Sequence, residues 1–220
     1  MAISLKEKFR TILKLVSEPR VLKSLISLRA FGYLLDIGWF NSFKSGEPVD
    51  RNNKPIPWFT YPAIEFLSGK LNKRMTIFEF GSGNSTLFFS ERVNQITSVE
   101  HNRTWYNKVV ERKPENSRIE LVISVKPEDY IGVINLNFNK YDIIIVDGLY
   151  RNECLIESKD HLSESGVLIL DDSDRIEYQT GINNLLEEGF KRLDFWGISP
   201  GYLYQKDTSI FYKGNNCLNI

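Results

Sequence analysis

Cysteine is scarce in this chain: 220 residues hold only Cys154 and Cys217. Two thiols exclude a disulfide-dense scaffold and a Cys-rich zinc module, and they accord with a reducing compartment. Net charge is absent as well, with 28 basic and 28 acidic residues. A neutral chain has no global field to draw in nucleic acid, so no specific nucleic-acid partner is expected. Long apolar runs are missing; stretches such as Ile143-Ile144-Ile145-Val146 have the length of a strand, not of a membrane span. The first apolar residues are interrupted by Lys6, Glu7, Lys8 and Arg10, so no secretory leader and a cytoplasmic location are expected. No repeat or low-complexity tract is visible. What remains is an ordinary globular composition, 42% apolar and 25% charged, of a size for one domain with a small extension.

The charge is unevenly spread. Residues 1–30 carry seven basic and two acidic side chains, a local +5 that leaves −5 on the rest. Leu5, Phe9, Ile12, Leu13 and Val16 recur at helical spacing over residues 3–17. Pro19 opens a second helix whose stripe runs through Val21, Leu22, Leu25, Leu28, Phe31, Leu34 and Leu35. Two readings stand: a helical hairpin docked on the domain with a solvated basic face, or a surface that rests on an anionic membrane or another partner. Residues 38–62 break the periodicity but crowd in Trp39, Phe40, Phe43, Trp58, Phe59 and Tyr61, so this segment is expected to pack over the domain. A short helix follows with Ile64, Leu67 and Leu71. Residues 1–72 thus read as a helical, aromatic extension, and 73–220 as the main domain.

From residue 75 the pattern is strand, glycine turn, helix, repeated. Strands are expected at 76–80, 96–100, 119–124, 141–147 and 167–171, with helices at 85–92, 103–112, 150–162 and 174–188. Nearly all-apolar strands belong to a parallel sheet covered on both faces. Two further strands, 190–196 and 208–213, have no helix between them and form an antiparallel pair at one edge. The fold class is α/β: a doubly wound, mostly parallel, seven-stranded, Rossmann-like sheet with a helical N-terminal extension.

The stretch Glu79-Phe80-Gly81-Ser82-Gly83-Asn84-Ser85-Thr86 leaves the first strand and enters a helix. Gly81 permits a tight turn, Gly83 lets a ligand approach bare backbone, and Asn84, Ser85 and Thr86 suit a helix start. Glu100 ends the second strand, placed to accept both hydroxyl hydrogens of a ribose. A P-loop needs a Lys here, and a dinucleotide fingerprint needs glycine where Thr86 stands. Glu79 would repel a pyrophosphate but suits the ammonium group of S-adenosylmethionine (SAM). At these residues the sequence resembles class I SAM-dependent methyltransferases, whose first motif is an acidic residue followed by x-G-x-G-x-G; Ser85 replaces the third glycine. The resemblance spans about residues 76–213. It implies SAM as cofactor, held by Glu79, Gly81, Ser82, Gly83, Asn84, Ser85 and Glu100, with His101, Asp129 and Asp147 nearby. His101 reads equally as a surface or capping residue.

The fourth strand ends at Asp147 and the fifth at Asp171-Asp172, at the ligand-binding edge of such a sheet. Here the chain resembles the cation-dependent O-methyltransferases of the catechol and caffeoyl-CoA type. That resemblance implies Asp147, Asp171 and Asp172 as catalytic residues and as ligands of a divalent cation, Mg²⁺ or Mn²⁺, although Asp172 stands where those enzymes carry Asn. Without a metal, one carboxylate serves as general base and Arg151 or Arg175 balances the charge. Asp172 and Asp174 also read as caps of the next helix. The Asn/Asp-Pro-Pro-Tyr/Phe turn of amino-group methylation is absent, so a hydroxyl acceptor is favoured by elimination. Residues 55–61 and 197–204, both aromatic, are candidates for the acceptor pocket. The pattern of Gly38-Trp39-Phe40-Asn41-Ser42-Phe43 and Asn216-Cys217-Leu218 is similar to small bacterial methyltransferases, some associated with polysaccharide or secondary-metabolite assembly. The expected function is O-methylation of a small-molecule or glycan hydroxyl, the alternative a non-catalytic SAM-binding module acting through partners.

Overall fold

The computed structural model describes residues 4–137 and 140–220. Five helices precede the first strand: α1 (Leu5–Ser17), α2 (Pro19–Ala30), α3 (Tyr33–Asp36), α4 (Trp39–Ser45) and α5 (Tyr61–Ser68). Then strands and helices alternate: β1 (Thr76–Phe80), α6 (Asn84–Ser90), β2 (Gln95–Glu100), α7 (Arg103–Val110), β3 (Ser117–Leu121), α8 (Pro127–Ile131), β4 (Tyr141–Val146), α9 (Arg151–Ser158), β5 (Leu162–Asp171) and α10 (Gln179–Glu187). The hairpin of β6 (Lys191–Gly197) and β7 (Lys206–Tyr212) ends the fold.

The seven strands form one sheet in the order β3-β2-β1-β4-β5-β7-β6. The first five are parallel, and β7 runs antiparallel to both β5 and β6. Successive strand residues supply opposite faces, as the pleat requires. Ile77, Ile143, Ile145 and Ile169 enter one hydrophobic cluster, packed under α5, α6 and the aromatic segment. Phe78, Ile144, Val146 and Leu168 enter another, under α8, α9 and α10. Two covered faces explain the unbroken, buried apolar runs 143–146 and 167–170. This is the doubly wound, Rossmann-like sheet with an antiparallel ending that the pattern implied.

The aromatic segment 38–62 is part of this core. Trp39, Phe59 and Tyr61 are buried in the first cluster. Thr60 fastens it to the far end of the chain: its N–H donates to Thr208 Oγ1 (3.1 Å) and its hydroxyl to the Phe195 carbonyl (2.9 Å).

Two expectations fail at the N-terminus. The second helix does not reach Leu35; it stops at Ala30, and Gly32 turns the chain with φ 104°. Nor is the hairpin docked: α1 and α2 bury none of their residues, and their apolar stripes face water. The strand expected at 119–124 lies at Ser117–Leu121, because polar Ser117 and Arg118 pair with β2 at Ile96 and Thr97.

Candidate functional site

The carboxyl ends of β1, β2, β4 and β5 open into one cavity of about 440 Å³. Its volume is in the range of small-ligand sites. The glycine turn forms one wall. Gly81 adopts φ 100°, and a Cβ there would stand 3.3 Å from the backbone of Asp147 and Gly148. The ends of β1 and β4 therefore touch through two glycines. At Gly148 a Cβ would meet Tyr130 Oη at 2.1 Å and Gly81 N at 2.9 Å. Tyr130 is fully buried and has nowhere to retreat. Gly148→Ala is therefore expected to destabilise the protein by about 1–3 kcal/mol, the usual range for overpacking. Urea unfolding of the variant checks this; an unchanged midpoint would mean that Tyr130 can give way.

Glu100 organises the turn. Its Oε2 accepts from Ser82 N (3.1 Å) and Ser82 Oγ (3.0 Å), and its Oε1 from the N–H groups of His101 (2.9 Å) and Asn102 (2.8 Å). Four donors already fill a carboxylate with about four lone-pair sites. His101 is exposed, with Nδ1 3.2 Å from Glu100 Oε1. Trp105, which the sequence did not single out, lies across Gly83 and donates from Nε1 to the Ser82 carbonyl (2.5 Å). Asn84, buried at the cavity wall, donates to the Pro48 carbonyl of the aromatic segment (2.9 Å).

Two residues expected to touch cofactor lie elsewhere. Glu79 is only 1% exposed and sits behind the turn, outside the cavity lining. Its Oε2 accepts from Thr86 Oγ1 (2.5 Å) and Ser98 Oγ (2.7 Å), while Oε1 has no partner. Burial pushes its carboxyl up to about 7. Through Thr86 and Ser98 it braces the turn from behind. Asp129 is exposed, accepts from Ser124 Oγ, and lines no part of the cavity.

Asp147, Asp171 and Asp172 do converge at the opposite end of the cavity. They are met by three cations. Lys206 Nζ lies 2.5 Å from Asp171 Oδ2 and 2.8 Å from Asp172 Oδ1. Arg151 Nη2 lies 3.0 Å from Asp147 Oδ1, and Arg175 Nη2 lies 2.7 Å from Asp172 Oδ2. Thr208 donates to the remaining Asp171 oxygen (2.7 Å). Burial and the Asp147 charge raise Asp171, with Lys206 pulling it back. Burial also raises Asp147 against the pull of Arg151. Lys206 is buried, but the carboxylates of Asp171, Asp172 and Asp147 overcome that penalty and hold its pKa above the ordinary lysine value.

This donor set does not fit a divalent cation. Both oxygens of Asp171 and of Asp172 are engaged by basic or hydroxyl groups, and the ion's charge is already supplied. Among the described residues no group of three or more His, Cys, Asp or Glu has the arrangement to hold a metal ion. The metal expectation at Asp147, Asp171 and Asp172 is corrected accordingly. Lys206 was missed because it opens a strand far along the chain, and only the antiparallel pairing of β7 with β5 brings it beside Asp171.

The aromatic segments close the remaining side. Tyr61 N–H donates to the Ile198 carbonyl (3.0 Å) and Trp58 Nε1 to the Pro200 carbonyl (3.2 Å). The ring of Tyr202 lies 6.5 Å from Trp58 and 5.1 Å from Tyr204, and all three face the cavity. Trp39 Nε1 donates to the Tyr202 carbonyl (2.9 Å).

No family model and no curated protein sequence matches the chain. Solved structures do. A methyltransferase from Pyrococcus furiosus superposes with TM-score 0.52 at 18% identity, over 82% of this chain and 96% of that one. A Streptococcus mutans protein described as a methyltransferase, in complex with S-adenosylhomocysteine (SAH), gives 0.50 at 12% identity, over 68% and 94%. Spermidine synthase from Thermotoga maritima gives 0.51 at 15% identity, over 67% and 56%. The fold is thus one that these solved methyltransferases share with a spermidine synthase.

Proposed function

We propose that this chain is a SAM-dependent methyltransferase acting on a hydroxyl oxygen of a small-molecule or glycan acceptor. One observation carries the reading: a single cavity joins a glycine turn braced by Glu100 to an aromatic and carboxylate wall, at the strand ends where this fold places ligands. The residues fit the donor. Gly81, Ser82 and Gly83 line the cavity beside Trp105, and Glu100 stands where it can meet a ribose, which would compete with the Ser82 hydroxyl for Oε2. Trp58, Tyr202 and Tyr204 offer flat faces to a ring or sugar.

When bound, SAM supplies a sulfonium methyl; transfer forms the acceptor O–C bond, breaks the S–C bond and releases the acceptor's proton. Asp147 is the group to take that proton. It is the least buried of the three carboxylates, it faces the cavity, and its raised pKa suits a base. Asp171 and Asp172, locked to Lys206, position the wall. The larger share of the rate comes from holding donor and acceptor in line.

Calorimetry with SAM and SAH, followed by turnover against a panel of sugars and phenols, tests this. Glu100→Ala removes charge-assisted bonds of roughly 1.5–3 kcal/mol each, so SAM affinity is expected to fall at least about tenfold. Turnover is expected to be indifferent to EDTA. Unchanged affinity in Glu100→Ala would refute the ribose assignment. SAM binding without turnover on any acceptor would favour the non-catalytic module.

A further inference from the structure

We infer that α1 and α2 form a docking surface for an anionic membrane, independently of what the cavity does. Ser4 and Glu7 close a capping box that starts α1, yet neither α1 nor α2 buries a residue. Helices of 13 and 12 residues are marginal in water without a packed face. On α1, Leu5, Phe9, Ile12 and Val16 line one side, exposed; Leu5 is 87% and Phe9 65% accessible. Val21, Leu25 and Leu28 repeat the spacing on α2, also exposed.

Charge identifies the occupant. Residues 1–30 carry the +5 excess, against −5 on the rest. At 100° per residue, Lys6 and Lys8 fall on the two flanks of the Leu5–Phe9–Ile12 stripe, while Arg10 and Lys14 fall behind it. Flanking lysines can lift their ammonium groups to a phosphate layer while the apolar side chains sink beneath it. Two copies of this segment would set +5 against +5, so a symmetric dimer through it is disfavoured. Among the described residues no helix is long and apolar enough to cross a membrane, so the contact is peripheral. The surface stays tied to the cavity: Arg29 lies over the Phe40 ring (4.7 Å), and Trp39 holds the Tyr202 loop.

Flotation of the full chain with vesicles tests the inference, using phosphatidylcholine alone or with about one third phosphatidylglycerol. Binding is expected only to the anionic vesicles, and it should weaken as salt rises. Phe9→Asp with Ile12→Asp is expected to reduce binding tenfold or more, and Lys6→Gln with Lys8→Gln by about fivefold per charge. SAM affinity should not change in either variant, which keeps this test separate from that of the proposed reaction. Absence of binding to anionic vesicles, or binding indifferent to Phe9→Asp, would overturn the inference. So would a wild-type dimer in light scattering that Phe9→Asp disperses.

Discussion

Lys206→Met is expected to cost about 3–5 kcal/mol of stability, the range for breaking a buried ion pair by removing one partner. Lys206 is 6% exposed and serves two carboxylates at once, Asp171 at 2.5 Å and Asp172 at 2.8 Å. Methionine keeps most of the aliphatic stem, so the loss measures charge rather than packing. Arg175 remains for Asp172, but Asp171, 2% exposed, would keep only the Thr208 hydroxyl. Adding Asp171→Asn should recover part of the loss, because the stranded charge goes with it. Urea unfolding of wild type, single and double variant at neutral pH reads this as a cycle. A single variant within about 1 kcal/mol of wild type would show that Asp171 and Asp172 do not depend on Lys206.

The second large effect is pH-dependent and belongs to Glu79. Burial pushes its carboxyl up to about 7 in the fold from the ordinary 4.5, because it penalises the charged form by more than the hydrogen bonds from Thr86 and Ser98 favour it. The folded state therefore holds a proton that the unfolded chain releases. The stability this provides is complete below about pH 4.5 and is lost as pH rises to about 7. A shift of this size corresponds to about 3 kcal/mol, at about 1.4 kcal/mol per unit. Glu79→Gln stays neutral throughout and mimics the protonated form, with its amide oxygen free to accept from Thr86 and Ser98. The stability of Glu79→Gln relative to wild type should rise by about 3 kcal/mol between pH 4.5 and 8. Parallel curves for the two proteins would mean that Glu79 is ionised in the fold across that range.

The parallel sheet and its two covered faces were legible because parallel strands leave an unusual mark: runs such as Ile143-Ile144-Ile145-Val146 have no solvent side. The glycine turn was legible for a local reason, since Gly81 needs its positive φ wherever the chain folds. What was not legible depends on partners distant in sequence. Three aspartates could be read as neighbours from the strand ends. The cations that balance them could be only partly foreseen: Arg151 and Arg175 follow the same strands, but Lys206 arrives through a pairing 35 residues away. Glu79 looked like a ligand contact because acidic residues at that position suit an ammonium. Its burial is set by Thr86 and Ser98, and the one-dimensional pattern does not carry that geometry. The N-terminal stripe has the spacing of a packed helix, yet none of the residues of α1 and α2 is buried.

The place of β7 in the sheet has a consequence for how the protein is made. It is the last strand in the chain, yet it lies inside the sheet, between β5 and β6. Until it emerges from the ribosome, β5 is an open edge and β6 has no neighbour to pair with. The same strand begins with Lys206, so before its arrival the three aspartates at the cavity have two arginines between them. A nascent chain lacking it already contains the glycine turn and Glu100, but the aspartate end of the cavity lacks its buried cation. Unpaired edges of growing chains invite mispairing, and charge beside the edge discourages it. Asp171 and Asp172, at the end of β5, supply that charge while the strand waits. The pairing of β7 with β5 thus covers that edge and brings Lys206 to Asp171 and Asp172, so one strand completes both the sheet and the aspartate end of the cavity.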